Sequence, residues 1–356
     1  MPRWDRNNPY WEAVMSEIIT VGLDLAKNVF QVHGADSKGS AVLRKKLRRA
    51  QVFEFFAKLP PCLVAMEACG GAHFWGRELA KLGHDIKLIP PAYVKPFIKR
   101  QKNDAADAEA ICEAAQRPNM RFVPVKSEET QGAASVFRVR ELLIRQRTQA
   151  INALRGHLTE YGWVVPQGAT NARRLVALVA DEESGLPATA RASLTVLTET
   201  LVQLDGQIET LDAEIDRRAK TDEVARRLMT IPGIGPLIAT AIATLAPPLE
   251  AFRKGRDFAA WLGLTPRQHS TGGKQRLGAT TKMGERSLRR LLIIGANSVI
   301  IKRHSHASAR AGTWLARMLE RKPPMLVRVA LANKMARIVW ALMKSGEVYR
   351  APAMAA

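Results

Sequence analysis

Residues 17–48, EIITVGLDLAKNVFQVHGADSKGSAVLRKKLR, contain three β-like runs separated by turns too short for a crossover. The first run, residues 17–26, is rich in β-branched side chains, and NVFQVHGA at residues 28–35 follows directly. Asp36-Ser37-Lys38-Gly39 reads as a turn. SAVLRKKL at residues 40–47 is a third strand with basic residues on its exposed side. Strands joined this tightly are antiparallel. Working outward, AQVFEFFAK at residues 50–58 has helical apolar spacing, and CLVAMEA at residues 62–68 is a short buried strand broken by Gly70-Gly71. HFWGRELAKLG at residues 73–83 is a helix that stops at Gly83. DIKLIP at residues 85–90 is a fifth strand, and AADAEAICEAAQR at residues 105–117 a further helix. The later strands are joined through helices and are expected to be parallel.

Three strands, helix, strand, helix, strand, helix is the order of an RNase H-like sheet, assigned here to residues 15–126. From residue 127 the character changes. Residues 128–160 lack a turn signal after Gly132 and are rich in helix formers. Residues 187–219 place Leu194, Leu197, Leu201, Leu204, Ile208, Leu211 and Ile215 at three- and four-residue spacing. Two such helices predict an antiparallel coiled-coil arm over residues 127–220, with an ordinary helical bundle as the alternative. Residues 221–346 read as a helical C-terminal domain, and residues 347–356 as a tail. Residues 267–284, RQHSTGGKQRLGATTKMG, read as a glycine-rich basic loop.

The 356 residues suffice for two or three domains, and an apolar fraction of 47% is ordinary for a folded chain. No uncharged apolar run reaches the length of a membrane span, and the N-terminus lacks the apolar core of a signal peptide. Residues 1–14 are expected to be an extension outside the fold. Cys62, Cys69 and Cys112 show no metal-ligand spacing, and an odd count fits a reducing cytoplasm. Lys and Arg number 54 against 33 Asp and Glu, a net charge of +21. That excess calls for a polyanionic partner, because each phosphate neutralised releases counterions. An anionic lipid surface would select the same sign.

Asp24 lies inside the apolar run VGLDLA and Glu67 inside CLVAMEA, where an unpaired carboxylate is costly and no capping role exists. Asp104 and Asp107 stand at i and i+3 on a helix start and face the same way. Taken alone, Asp104 is readable as a helix N-cap and Asp107 as a favourable first-turn charge. In an RNase H-like sheet the first and fourth strands are neighbours and the last helix packs across them, so the four acids are able to converge. Carboxylate oxygens in such a group suit Mg2+, and two ions about 4 Å apart can hold the attacking and leaving oxygens of a phosphodiester.

Two further segments carry chemistry. Ser270 or Thr271, among Arg267, Lys274, Arg276 and Lys282, could contact a phosphate, with a plain phosphate-binding loop as the alternative. His269 is a possible base beside them. Ile231-Pro232-Gly233-Ile234-Gly235-Pro236 resembles a helix-hairpin-helix turn, in which glycines such as Gly233 and Gly235 let backbone N–H groups approach DNA phosphates. The helix over residues 285–303, with Arg286, Arg289, Arg290, Lys302 and Arg303, could face the same duplex. No GxxxxGK[ST] phosphate loop is present.

VGLDLAKNVFQVH, AMEACGG, KNDAADAEAI, IPGIGPLIA and LTPRQHSTGGKQRLG with TKMGERSLRRLLIIGA resemble, in order, the DEDD transposases of the insertion-sequence 110 / 1111 family. The Ser-Thr-Gly-Gly loop is closer to the 1111 subgroup. The resemblance covers residues 17 to 345. It implies a RuvC-like domain whose Asp24, Glu67, Asp104 and Asp107 bind Mg2+. It implies a coiled-coil dimerisation arm and a C-terminal transposase domain with a nucleophilic serine, placed here at Ser270 with Thr271 as the alternative. It further implies a covalent phosphoserine link to DNA, a composite site between subunits of a tetramer, and an element-encoded noncoding guide RNA. The competing readings are a metal-only nuclease like a junction resolvase, and a non-catalytic nucleic-acid-binding protein.

Overall fold

The computed structural model describes residues 17–99, 103–168, 171–302 and 313–351. The expected extension at residues 1–14, Arg303, and residues 352–356 of the expected tail lie outside the described residues. The chain divides into two compact units, one ending at Gln131 and one beginning at Gly132.

The first unit is built on one five-stranded sheet. Strands β1 (Thr20–Asp24), β2 (Val29–Ala35) and β3 (Ala41–Arg48) form an antiparallel meander. Helix α1 (Val52–Lys58) leads to β4 (Leu63–Glu67), α2 (Ala72–Lys81) leads to β5 (Asp85–Ile89), and the one-turn helix α3 (Pro91–Val94) precedes α4 (Asp104–Ala115). The sheet order is β3-β2-β1-β4-β5, with β1–β4 and β4–β5 parallel. This mixed sheet agrees with the expected RNase H-like order. The sequence reading left α3 unassigned. Asp36 makes the β2–β3 turn tight, because its carboxylate accepts from the backbone N–H groups of Lys38 (2.9 Å) and Ser40 (2.8 Å).

Strand alternation divides the side chains between two layers. Val21, Leu23, Phe30, Val32, Leu47, Val64 and Met66 join Val52, Phe56, Trp75 and Leu79 of α1 and α2 in one core. The other face carries small residues where α4 crosses. A Cβ on Gly22 would stand 2.1 Å from the Ala108 carbonyl oxygen and 2.6 Å from the Cys112 backbone nitrogen. Gly22 therefore lets α4 lie directly on β1, and Ala65 packs with Ile111 and Ala114 beside it.

The second unit is helical apart from one hairpin. Helix α5 (Glu128–Thr159) starts just before the division, and α6 (Ala172–Ala180) and α7 (Ala188–Thr221) follow. Arg140 pairs with Asp212, and Arg147 with Asp205 at 2.9 Å. The pairs are one heptad apart on each helix with opposite sense, so α5 and α7 run antiparallel. Beyond them, Leu154 and Leu158 pack with Leu175 and Val179 of α6 and with Leu194 and Leu201. The sequence reading had assigned no helix to α6. Helices α8 (Glu223–Leu228), α9 (Pro236–Leu245), α10 (Gly255–Trp261), α11 (Arg286–Ile301), α12 (Trp314–Arg321) and α13 (Pro324–Ser345) enclose the larger core. Between α10 and α11 lies the hairpin of β6 (Pro266–Gln268) and β7 (Leu277–Thr280). No helix among the described residues is long and apolar enough to cross a membrane.

Because backbone atoms of α4 occupy the space a methyl would need, Gly22→Ala should destabilise the first unit by about 3 kcal/mol. Chemical-denaturation midpoints measure this. A variant as stable as the parent would contradict the close packing of α4 on β1.

Candidate active site

Asp24 ends β1 and Glu67 ends β4. The parallel register pairs Leu23 with Met66, the residues just before them, so both acids leave the sheet side by side on the α4 face. Asn103 caps α4, its side-chain oxygen accepting the Ala105 N–H at 3.0 Å. The cap expected of Asp104 is thus supplied by its neighbour, and Asp104 and Asp107 are free to point elsewhere from the first turn. One carboxylate oxygen from each of Asp24, Asp104 and Asp107 lies within 4.8 Å of the others. Glu67 is outside that tight trio but close enough for its charge to act on Asp24.

The electrostatics are those of uncompensated like charge. Burial, then Asp107, Asp104 and Glu67, push the Asp24 carboxyl up from 3.8 to about 6, against a small opposing effect of the Leu25 N–H. Burial and then Asp107 raise Glu67. The exposed thiol of Cys69 is raised by burial of its surroundings and then by Glu67 and Asp24. Among the described residues no Lys or Arg pairs with any of the four acids within 4.0 Å. Oxygen-only donors converging without a protein cation fit a hard divalent ion.

The second unit holds the other candidates. The region read as a glycine-rich basic loop contains a β-hairpin. Gln268 pairs with Leu277 and Thr271 with Lys274, which leaves Gly272-Gly273 as a two-residue turn with φ of +54° and +77°. Positive φ at both turn residues matches the right-handed strand twist and suits glycine. Alternation then places Ser270 with Gln268, Gln275 and Leu277 on one face, and His269, Thr271, Lys274 and Arg276 on the other. The His269 ring lies across Gly278, 3.0 Å from where a Cβ would be. It is therefore directed away from Ser270, and the base suggested for Ser270 by adjacency in sequence is not positioned for it. The Ser270 hydroxyl has no hydrogen-bond partner among the described residues, and the whole hairpin tip is exposed.

The expected nucleic-acid contacts separate into two groups. Lys274, Arg276, Lys282 and Arg286 are exposed, as is Arg267, whose guanidinium reaches the Thr281 carbonyl at 3.5 Å. Arg289 donates to the Leu262 and Met283 carbonyls at 2.9 and 3.2 Å, and Arg290 stands 3.5 Å from Glu141. Arg289 ties helix α11 to its surroundings, whereas Arg290 remains exposed. Gly233, at φ +84°, abuts Gly295, and a Cβ there would stand 2.6 Å from the Gly295 carbonyl oxygen. Its backbone approach is to α11. Gly235 is exposed with open space around it, at the N-cap of α9.

Family comparison meets this geometry. Residues 21–163 match the DEDD transposase model of the IS110 type, and residues 225–311 match the Transposase IS116/IS110/IS902 family. A "Probable family 20 transposase" of Pseudomonas aeruginosa is 50% identical over 93% of this chain and 98% of that protein. The chain belongs to the IS110-type family of DEDD transposases. The "Transposase for insertion sequence element IS1328" of Yersinia enterocolitica is 42% identical over 94% of this chain and 99% of its own length. The "Transposase for insertion sequence element IS1111A" of Coxiella burnetii is 38% identical, over 94% and 92% respectively. The first model ends just past α5 and contains all four acids, and the second contains the hairpin and both turn glycines.

Protonation of Asp24 and cation binding compete. Its folded pKa is raised, so the stability contributed by the proton is complete below about pH 4 and is lost as pH rises through about 6. Above that, a cation can restore it. Mg2+ is expected to raise the melting temperature at pH 7.5 and not at pH 5, and Asp24→Asn is expected to abolish the rise. Equal melting with and without Mg2+ at pH 7.5 would contradict the site.

Proposed function

We propose that this transposase cuts and rejoins the DNA ends of its element by phosphoryl transfer through a covalent phosphoserine at Ser270. The first unit acts as a RuvC-like domain that holds Mg2+ on Asp24, Glu67, Asp104 and Asp107. The observation that carries this reading is the convergence of Asp24, Asp104 and Asp107 within 4.8 Å, under the charge of Glu67 and without a protein cation. Bound divalent ions would supply Lewis-acid polarisation and charge neutralisation at the scissile phosphate.

The chain's own residues do the rest. The Ser270 oxygen bonds to phosphorus, its proton passes to solvent, and the phosphorus bond to the leaving strand breaks. The leaving oxygen takes a proton and ends as a hydroxyl. Attack by a strand-end hydroxyl on the phosphoserine reverses the exchange, so rejoining needs no nucleotide triphosphate. Exposed Lys274, Arg276, Lys282 and Arg286 hold backbone phosphates near the hairpin, and Gly235 at the α9 N-cap offers an open approach to another. The antiparallel α5–α7 pair, with ion pairs one heptad apart, serves as a coiled-coil dimerisation arm. Assembly to a tetramer would let the acids of one subunit serve the hairpin of another. A structured element-encoded RNA guides the choice of DNA, a role that the net charge of +21 supports.

One observation favours a second nucleophile. Thr271, not Ser270, shares its hairpin face with Lys274 and Arg276, whose charges would offset that of a pentacovalent phosphate. Substitution separates the two. Incubated with an element-end duplex, the element-encoded RNA and Mg2+, the parent should give a protein–DNA adduct that survives denaturing electrophoresis. Ser270→Ala should lose it, and Thr271→Val should retain most of it. Loss only in Thr271→Val would move the nucleophile to Thr271. Cleavage without any adduct, unaffected by either change, would favour a metal-only nuclease.

A further inference from the structure

The α4 face of the sheet does not stop at the acids. Asp24 of β1 registers with Gln31 of β2, and Gln31 with Lys46 of β3. Glu67, Asp24, Gln31 and Lys46 thus form one cross-strand row, from the carboxylates to the sheet's free edge. Lys46 lies two strands from Asp24, about 10 Å at ~4.8 Å per strand. On that edge Arg44, Lys46 and Arg48 alternate with Lys45 and Leu47, so all three present cations to the face carrying the acids. Leu47 is in the opposite core, and the Lys45 ammonium lies over the Phe55 ring at 5.3 Å.

These cations are not spent within the unit. Lys46 and Arg48 have no carboxylate partner among the described residues, and Arg44 only approaches Glu109 at 3.8 Å with its side chain 67% exposed. Helix α4 packs on β1 and β2, where Gln31 and His33 are buried, and leaves Arg44, Lys46 and Arg48 of β3 exposed. A recess of about 150 Å³ lies here, lined by Gln31, His33, Arg44, Lys46 and Ala105, the residue after Asp104. Gln31 is 7% exposed, and its carboxamide bonds to no described residue. Protection of an edge strand against pairing would be served by either sign of charge. Three cations on the face that carries Asp24 and Glu67, with Lys46 in their cross-strand row, are selective for a polyanion.

We propose that Arg44, Lys46 and Arg48, with Gln31 beside them, form a track for the DNA strand that is cut, holding its phosphates on the edge side of the carboxylate pocket. This rests on the reading that the pocket handles a phosphodiester, and the DNA is chosen because the track runs into that pocket. Phosphates so held contribute positioning energy away from the reacting bond, and offset the repulsion between a strand and the four acids.

The test uses the full chain and a short single-stranded DNA, with affinity measured across a range of salt in the absence of divalent ions. Lys46→Gln with Arg48→Gln should lower the slope of log affinity against log salt by about 1.4, at about 0.7 for each phosphate contact on a single strand. The Mg2+-dependent rise in melting temperature should be unchanged. Lys46→Arg with Arg48→Lys should restore the slope, which shows that charge rather than folding was removed. An unchanged slope with the Mg2+ response intact would overturn the track and leave the pocket standing. Absence of the Mg2+ response in the parent would instead overturn the pocket, whatever the slope. A slope lowered for an RNA of the same sequence and not for DNA would also overturn the track.

Discussion

Repulsion between four carboxylates, held together by the approach of one helix to one strand, is the constraint on which the first unit depends. Gly22 removes the side chain that would keep α4 away from β1. Asn103 takes the capping role, so Asp104 and Asp107 meet Asp24. The cost appears in the raised Asp24 and Glu67 carboxyls. A proton on Asp24 relieves that cost at low pH, and an oxygen-only donor set without a neighbouring cation suits a hard divalent ion in its place.

Cations and acids occupy different places in the first unit. The large side chains of the core lie on the α1–α2 face, whereas the α4 face combines small residues, acids and an open basic edge. One face carries the larger core, and the other carries the smaller α4 core, the acids and the basic edge. In the second unit the corresponding division is between Arg289, which donates to two backbone carbonyls, and Lys274, Arg276, Lys282, Arg286 and Arg290, which reach solvent.

Much of this was legible from the residues. The β-branched runs, the short turn at Asp36–Gly39 and the helix stop at Gly83 carried the sheet order, and acids inside apolar runs singled out Asp24 and Glu67, which stand at strand ends. What escaped reading shares a cause. The hairpin at residues 266–280 is almost wholly exposed, so no apolar alternation marked it, and only Gly272-Gly273 carried the turn signal. Its consequence, that Ser270 and His269 face opposite ways, needs the register. Helix α6 is short, and only Leu175 and Val179 are buried in it. Gly233 and Gly235 look alike in sequence, and only the presence of Gly295 against one of them separates packing from an open helix end. The role of Asn103 was hidden because a cap and a metal ligand look identical when Asn and Asp are adjacent.

The central claim is that the four acids form one divalent-cation pocket. Crystals soaked in Mn2+ at pH 7.5 and measured at the manganese edge test it most directly. The account predicts an anomalous peak about 2.1 to 2.3 Å from oxygens of Asp24, Asp104 and Asp107, lost in Asp24→Asn crystals. No peak there, or a Lys or Arg side chain occupying the space among the carboxylates, would contradict it.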